Sequence, residues 1–200
     1  MSDPDWLGIS IGSALGTRFA AASGTFHLPC SMSQEPLASP SADFRAAMRR
    51  LAAGVTLLTA SDGTGLHGMA ATAVVSVSVD PPSLLASINR DASIHRVIEA
   101  TSRFCANILA NEQAGIVGAY STSSLRHRRF TESGWRTGID GLPYLEGALA
   151  AVFCAVDHRI EYGTHSLFIG RVRSVVLGAK RPPLLWFDGS TVDLLCHASR

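Results

Sequence analysis

The stretch from His67 to His95, HGMAATAVVSVSVDPPSLLASINRDASIH, constrains this chain more than any other part of it. It passes from small residues (Gly68, Ala70, Ala71, Ala73) into a β-rich segment and breaks at Asp80-Pro81-Pro82. It then resumes as an apolar strand from Ser83 to Asn89 and ends in a polar loop before a helix start. Proline cannot donate to a strand ladder, so the Pro-Pro pair divides one strand from the next. Small side chains let backbone amides approach a flat ligand closely. A polar loop that opens onto a helix N-terminus leaves N–H groups pointing outward, which suits a phosphate. Together these features point to a pocket for a flat, phosphorylated cofactor.

Two hundred residues suit one domain with a sizeable core, and 46% hydrophobic against 16% charged residues describes a globular chain. Seventeen basic and sixteen acidic side chains nearly cancel, so the clustered basic surface of a nucleic-acid binder is not expected. The tightest basic cluster, Arg126-His127-Arg128-Arg129, reads either as a solvated loop or as an anion contact. Cys30, Cys105, Cys154 and Cys196 are scattered without a CxxC. Cys105 and Cys154 lie in apolar runs, as buried free thiols of a reducing cytoplasm would. The seven histidines form no HExxH, and no metal site is expected.

The first forty residues are rich in Gly, Ala, Ser and Pro and lack a sustained period. Leu7 to Leu28 carries Arg18 and His27, which is poor for a membrane span, and the opening SDPD lacks the basic start of a secretory signal. Residues 1–40 are therefore expected to be a flexible extension, with an alternative start at Met32, and residues 41–200 the folded domain.

Ser41 is expected to cap a helix through DFRAAMRRLA, with Phe44, Ala47, Met48 and Leu51 on one face and Gly54 as its stop. Val55 to Ala60 reads as a strand, SDGTG as a turn, and Leu66 to Val79 as a second strand. Ser83–Asn89 forms the third, and Ser93 caps a short helix. Arg103–Leu109 is the fourth, and Asn111 caps a helix through EQAGIVGAY. Ser121 to Gly141 is expected as a long loop, the sort that often carries function. Two longer strands, Ala148–Tyr162 and His165–Leu177, are joined at Gly163-Thr164, and Leu184–Phe187 closes the set. The expected fold class is mainly β with short helices, a predominantly antiparallel barrel.

GxGxxG, GxxxxGK[ST] and GxSxG are all absent, and the expected strands hold few carboxylates. What remains is a site where a bound cofactor carries the chemistry and the protein positions it. FRAAMRRLAAGVTLLTASDG, HGMAATAVVSVSVDPPSLLASINRDASIH, RFCANIL, GTHSLFIGRV and PLLWFDG, in this order from about Phe44 to Gly189, resemble the flavin reductase family. These are NAD(P)H:flavin oxidoreductases with the FMN-binding split β-barrel fold. Within the family the chain is most similar to reductase components of two-component monooxygenases.

The resemblance implies a homodimer with FMN or FAD near the subunit interface and NADH or NADPH as hydride donor to flavin N5. Reduced flavin would diffuse to a partner monooxygenase. Met69, Ala70, Ala71, Thr72 and Ala73 match the family's ring-lining segment, with Ala71 and Ala73 where hydroxyl residues are often seen. Donors there would stabilise the charge that builds on the ring. Asn89, Ser93 and His95 match its N-x-x-S-x-H element, with Arg90 beside them as a phosphate partner. Ser93 also reads as a plain cap, and His95 as a packing residue. Tyr120 and Ser121 match a position near the flavin, and Arg129-Phe130 a basic-aromatic pair that could close over the ligand. His165 in the Gly163-Thr164-His165 turn matches the histidine that borders the nicotinamide face. Trp186 reads as a packing or interface residue. Two other readings share the fold: a flavin-binding electron carrier without turnover, and an oxidase of a pyridoxine-type phosphate.

Overall fold

The computed structural model describes residues 40–131, 133–192 and 194. The extension expected before Pro40, Cys30 and Cys196 lie outside the described residues. The main sheet is built from β2 (Thr56–Ser61), β3 (Leu66–Ala71), β4 (Val74–Val79), β5 (Pro82–Asn89), β6 (Arg103–Ile108), β9 (Ala150–Tyr162) and β10 (His165–Leu177). Its strand order is β3-β2-β6-β9-β10-β5-β4, and every neighbouring pair is antiparallel. The two edge strands, β3 and β4, are consecutive in the chain and joined only by Thr72 and Ala73.

That connection dictates the architecture. Laid flat, seven strands would hold their edges about 29 Å apart. A two-residue link spans roughly 10 Å at most. The sheet must therefore roll up until its edges nearly meet, giving an antiparallel barrel split along a β3/β4 seam. Ala73 is held at the seam by its carbonyl, which accepts from the Ser87 N–H of β5 at 3.0 Å.

The expectation of one strand from Leu66 to Val79 is corrected here. The chain bends at Thr72-Ala73, and the two halves have different surroundings. Met69, Ala70 and Ala71 are buried in succession, whereas Val75, Val77 and Val79 are exposed. No Gly or Pro marks this bend, because barrel closure imposes it.

α2 (Ser93–Thr101) plugs one end of the barrel with Ile94, Val97 and Ile98 against Leu58, Met69, Ile88, Phe104 and Phe168. A second core lies on the other side of β2 and β3. It joins Leu57, Ala70 and Leu109 to α3 (Val117–Ser121), Leu145 and Leu184, with Phe130, Trp135 and Trp186 packed against it. Gly170 in β10 is needed for close packing, since a Cβ there would lie 2.7 Å from Phe104 Cζ. Buried Asn107 ties three segments together. Its Nδ2 donates to Leu57 O at 3.0 Å and its Oδ1 accepts from Leu145 N at 2.8 Å. Each loss of such a buried partner costs about 1–3 kcal/mol.

Other elements depart from expectation in detail. The first helix, α1, spans Pro40–Arg49, but Phe44, Met48 and Leu51 stay exposed on the single chain. Ser93 is the first helical residue of α2, while Ala92 is its cap and offers no side-chain bond. The segment from Asn111 begins as a 3-10 turn capped at Ala110, whose N–H donates to Gln113 Oε1. The expected long loop holds a 3-10 turn (Ser123–Arg128), β7 (Trp135–Thr137) and a second turn at Ile139–Gly141. β7 pairs with β8 (Pro143–Leu145). The strand expected to be last, β11 (Leu185–Phe187), is followed by β12 (Ser190–Val192) and sits between it and β1 (Ala53–Gly54), a pairing that sequence alone does not signal.

Cys105 and Cys154 are buried free thiols, and burial pushes Cys154 up to about 12 and Cys105 higher still. Such thiols are inert at neutral pH. Among the described residues no helix is long and apolar enough to cross a membrane.

Candidate functional site

As an edge strand, β3 leaves half of its backbone donors and acceptors without a neighbouring strand. Arg129 covers part of that edge. Its Nη1 donates to Gly68 O at 2.8 Å, its Nε to Ala119 O at 2.7 Å, and its Nη2 to Thr122 O at 3.4 Å. Burial lowers the Arg129 pKa, and the three carbonyls offset the loss of water around the cation. Gly68 must be glycine for α3 and the following loop to sit this close. A Cβ there would lie 2.7 Å from Tyr120 Cε1 and 3.1 Å from Phe130 Cζ.

A cleft opens between this edge and the start of α2. Gly68 and Met69 form one wall, and Asn89 with residues 91–94 a second. Ser123, Arg126 and Arg129 form the third. Asn89 shapes the second wall. Its Oδ1 accepts from Asp91 N at 2.9 Å, and its carbonyl accepts from Ala92 N at 3.0 Å. The first turn of α2 carries neither an acidic residue nor a side-chain cap. The Ser93 and Ile94 amides therefore have no acceptor in their own helix, and both residues line a cleft that also holds Asp91 and two arginines. An amide pair at the positive end of a helix, with cations opposite, is chemistry for an anion.

Met69, Asn89, Ser93 and Arg129 are thus brought together on the cleft. Ala70 and Ala71 are buried, Thr72 is half-buried and Ala73 is exposed at the seam, and none of these four is among the residues that line the cleft. His165 opens β10 directly across from Asn89, and its Nδ1 is 2.9 Å from Thr164 Oγ1.

Other expected residues point elsewhere. The Arg90 side chain turns to the β9–β10 connection, where its Nη2 donates to Gly163 O at 2.7 Å. His95 is 5% exposed and faces the core. Its Nε2 lies 2.8 Å from Ser166 Oγ and its ring packs edge-on against Phe168. Tyr120 is buried, and its hydroxyl accepts from Phe130 N at 2.9 Å. Ser121 bonds back to Val117 O in its own helix. Phe130 is wedged between Tyr120 and Trp135, where it supports the Arg129 loop instead of covering the cleft. Ser123 and Arg126 were missed as individual site residues. Nothing local signals Ser123; Arg126 belongs to the basic cluster, whose two readings divide by residue: Arg126 and Arg129 line the cleft, and His127 and Arg128 are exposed to solvent.

Comparison with known proteins identifies the family and the fold. The pattern of the family described as Flavin reductase like domain matches residues 48–194. The FMN reductase (NADH) RutF of Stutzerimonas stutzeri is 36% identical over 145 residues, covering 72% of this chain and 83% of its own. The reductase component of the FADH(2)-dependent resorcinol hydroxylase of Rhizobium sp. is 38% identical over 147 residues, covering 72% and 82%. Among solved structures, the Streptomyces globisporus NADH:FAD oxidoreductase SgcE6, in complex with NAD and FAD fragments, superposes with a TM-score of 0.74. It is 26% identical and covers 82% of this chain and 100% of that one.

Burial also gives His95 a pH signature. Desolvation lowers its pKa below 6.5, and the nearby Glu99 only partly opposes this. The unfolded chain therefore binds the proton more readily, so this contribution to stability is complete above pH 6.5 and is lost as pH falls through the lowered value. His95→Gln is expected to cost about 1–2 kcal/mol at pH 7.5 and to flatten the acid side of the melting-temperature profile. Parallel profiles for the variant and the natural protein below pH 6.5 would contradict a neutral, buried His95.

Proposed function

The chain belongs to the Flavin reductase like domain family, and on that premise we propose that the cleft between β3 and α2 is its flavin site, with the flavin phosphate at the start of α2. The protein is an enzyme, a flavin reductase that uses NADH. The observation that carries the proposed site is the first turn of α2, which has no side-chain cap bond and no acidic residue, lining one cleft with Arg126 and Arg129. FMN offers one phosphate to this cradle and FAD two; either would be met by the same amides and the Arg126 guanidinium, since Arg129 donates to backbone carbonyls.

Bound flavin supplies the ring that takes a hydride from NADH. The chain's own residues do the placing. The backbone of Met69–Ala73 along the seam would lie beside the ring, where its small side chains permit close approach. Asn89 closes the junction between ring and phosphate. His165, across from Asn89, would orient the nicotinamide, with Thr164 fixing its Nδ1 so that Nε2 is left for the ligand. Holding two reactants in register supplies most of what such a reaction needs. Ser123 and Arg126 join Ser93 as phosphate contacts in this reading, and Arg90, His95, Tyr120, Ser121 and Phe130 act behind them.

The reduced flavin would leave for a partner oxygenase, as the name of the Rhizobium relative implies for that protein. The buried free thiols fit a cytoplasmic setting. A homodimer belongs to the same reading. The single chain leaves Phe44, Met48 and Leu51 bare on α1 and past its end, Val75, Val77 and Val79 on edge strand β4, and Tyr162 at the end of β9. These exposed apolar side chains support that reading.

The purified protein is expected to oxidise NADH only when flavin is added. Arg126→Ala should weaken FMN about tenfold and riboflavin within twofold, because only FMN carries the phosphate. His165→Ala should lower turnover far more than flavin affinity. Equal weakening of FMN and riboflavin would remove Arg126 from the phosphate, and equal loss of both properties would move His165 to the flavin side. Light scattering should give a dimer; a monomer at micromolar concentration would contradict the interface.

A further inference from the structure

The turn that carries His165 is held by a residue the sequence placed elsewhere. β9 and β10 are joined by Gly163 and Thr164, and Gly163 adopts a φ of +56°, a conformation that glycine takes without strain. The β5–β10 ladder ends at the pair Asn89–His165, so no further strand residue fixes the turn from the β5 side. Arg90, the next residue, takes over. Its backbone N–H donates to Thr164 O at 2.9 Å, and its guanidinium Nη2 donates to Gly163 O at 2.7 Å. Both carbonyls of the turn are thereby bonded to one residue.

The surroundings hold the arginine in that pose. Arg90 Nη1 lies 3.5 Å from Glu161 Oε2, and Glu161 Oε1 accepts from Arg159 Nη2 at 2.9 Å. Arg159 in turn pairs with Glu99 on α2. On the inner side, Ser166, the residue after His165, meets His95 of α2. The turn is therefore tied from outside and inside to the same helix whose first residues line the cleft. With its guanidinium bonded to Gly163, Arg90 is not among the residues that line the cleft.

We propose that Arg90 is a positioning residue that clamps the Gly163-Thr164 turn and so sets His165 at the nicotinamide side of the cleft, leaving phosphate binding to the α2 amides and Arg126. This rests on the flavin-site reading above for what His165 does there, though not for the clamp itself. Exposed ion pairs contribute little. The backbone bond to Thr164 O survives truncation of the side chain, so the guanidinium bond to Gly163 O is what the Arg90 side chain adds to the clamp, and Glu161 only aids it.

The test compares Arg90→Ala, Arg90→Lys and Glu161→Gln in the full chain by three readouts. Hydrogen exchange of the peptide spanning residues 160–167 reads the clamp without any ligand. It should speed up about tenfold in Arg90→Ala, less in Arg90→Lys, which retains one donor, and within twofold of the natural protein in Glu161→Gln. Fluorescence titration should show FMN and riboflavin bound by Arg90→Ala within twofold of the natural protein. In steady state, Arg90→Ala should raise KM for NADH or lower kcat by about tenfold, with partial rescue in Arg90→Lys. Unchanged exchange in Arg90→Ala would overturn the clamp. A tenfold loss of FMN affinity with riboflavin untouched would return Arg90 to the phosphate. If the natural protein shows no flavin-dependent NADH oxidation, the functional reading fails while the exchange result still decides the clamp.

Discussion

The two-residue link between β3 and β4 is the constraint on which the rest of the structure depends. Because Thr72 and Ala73 cannot reach across a flat sheet, the seven strands must roll into a barrel and bring their edges together. Rolling produces a seam, and the seam leaves one edge of β3 without a strand partner. That edge lies beside the start of α2, because α2 follows β5 and plugs the end of the same barrel. A row of open backbone groups and an uncapped helix start therefore meet in one place. The position of the cleft is a consequence of barrel closure before any side chain is considered.

Side chains then decide what the place accepts. Gly68 keeps β3 bare enough for Tyr120 and Phe130 to pack under the Arg129 loop, and this brings two arginines to the cleft. Arg129 spends its donors on backbone carbonyls and holds the wall, whereas Arg126 is exposed on it. The division of labour repeats on the other side. Asn89 lines the cleft, and its neighbour Arg90 turns outward to hold the turn before His165.

Much of this was legible in the chain. Gly68 and Met69 at the start of the small-residue run and the loop before α2 line the cleft, whereas the Pro-Pro break only marks the turn between β4 and β5. The long β9–β10 hairpin was readable from its apolar, β-branched runs and Gly163. The bend at Thr72-Ala73 was not, because nothing local distinguishes it from a continuing strand; it arises from pairing with residues far along the chain. Directions of side chains were equally hidden. His95 sits among Ile94, Val97 and Ile98 in the broad buried face of α2, and Arg90 lies one pleat beyond Asn89. Adjacency in sequence suggested a shared ligand, whereas the pleat sends the two neighbours to different tasks.

A crystal structure of the protein with FMN tests the central claim most directly. The phosphate should lie within about 3 Å of the Ser93 and Ile94 amides, facing Arg126, with the ring along Met69–Ala73 and one face open toward His165. Flavin bound with its phosphate away from α2, or on the outer face of β4, would contradict the account.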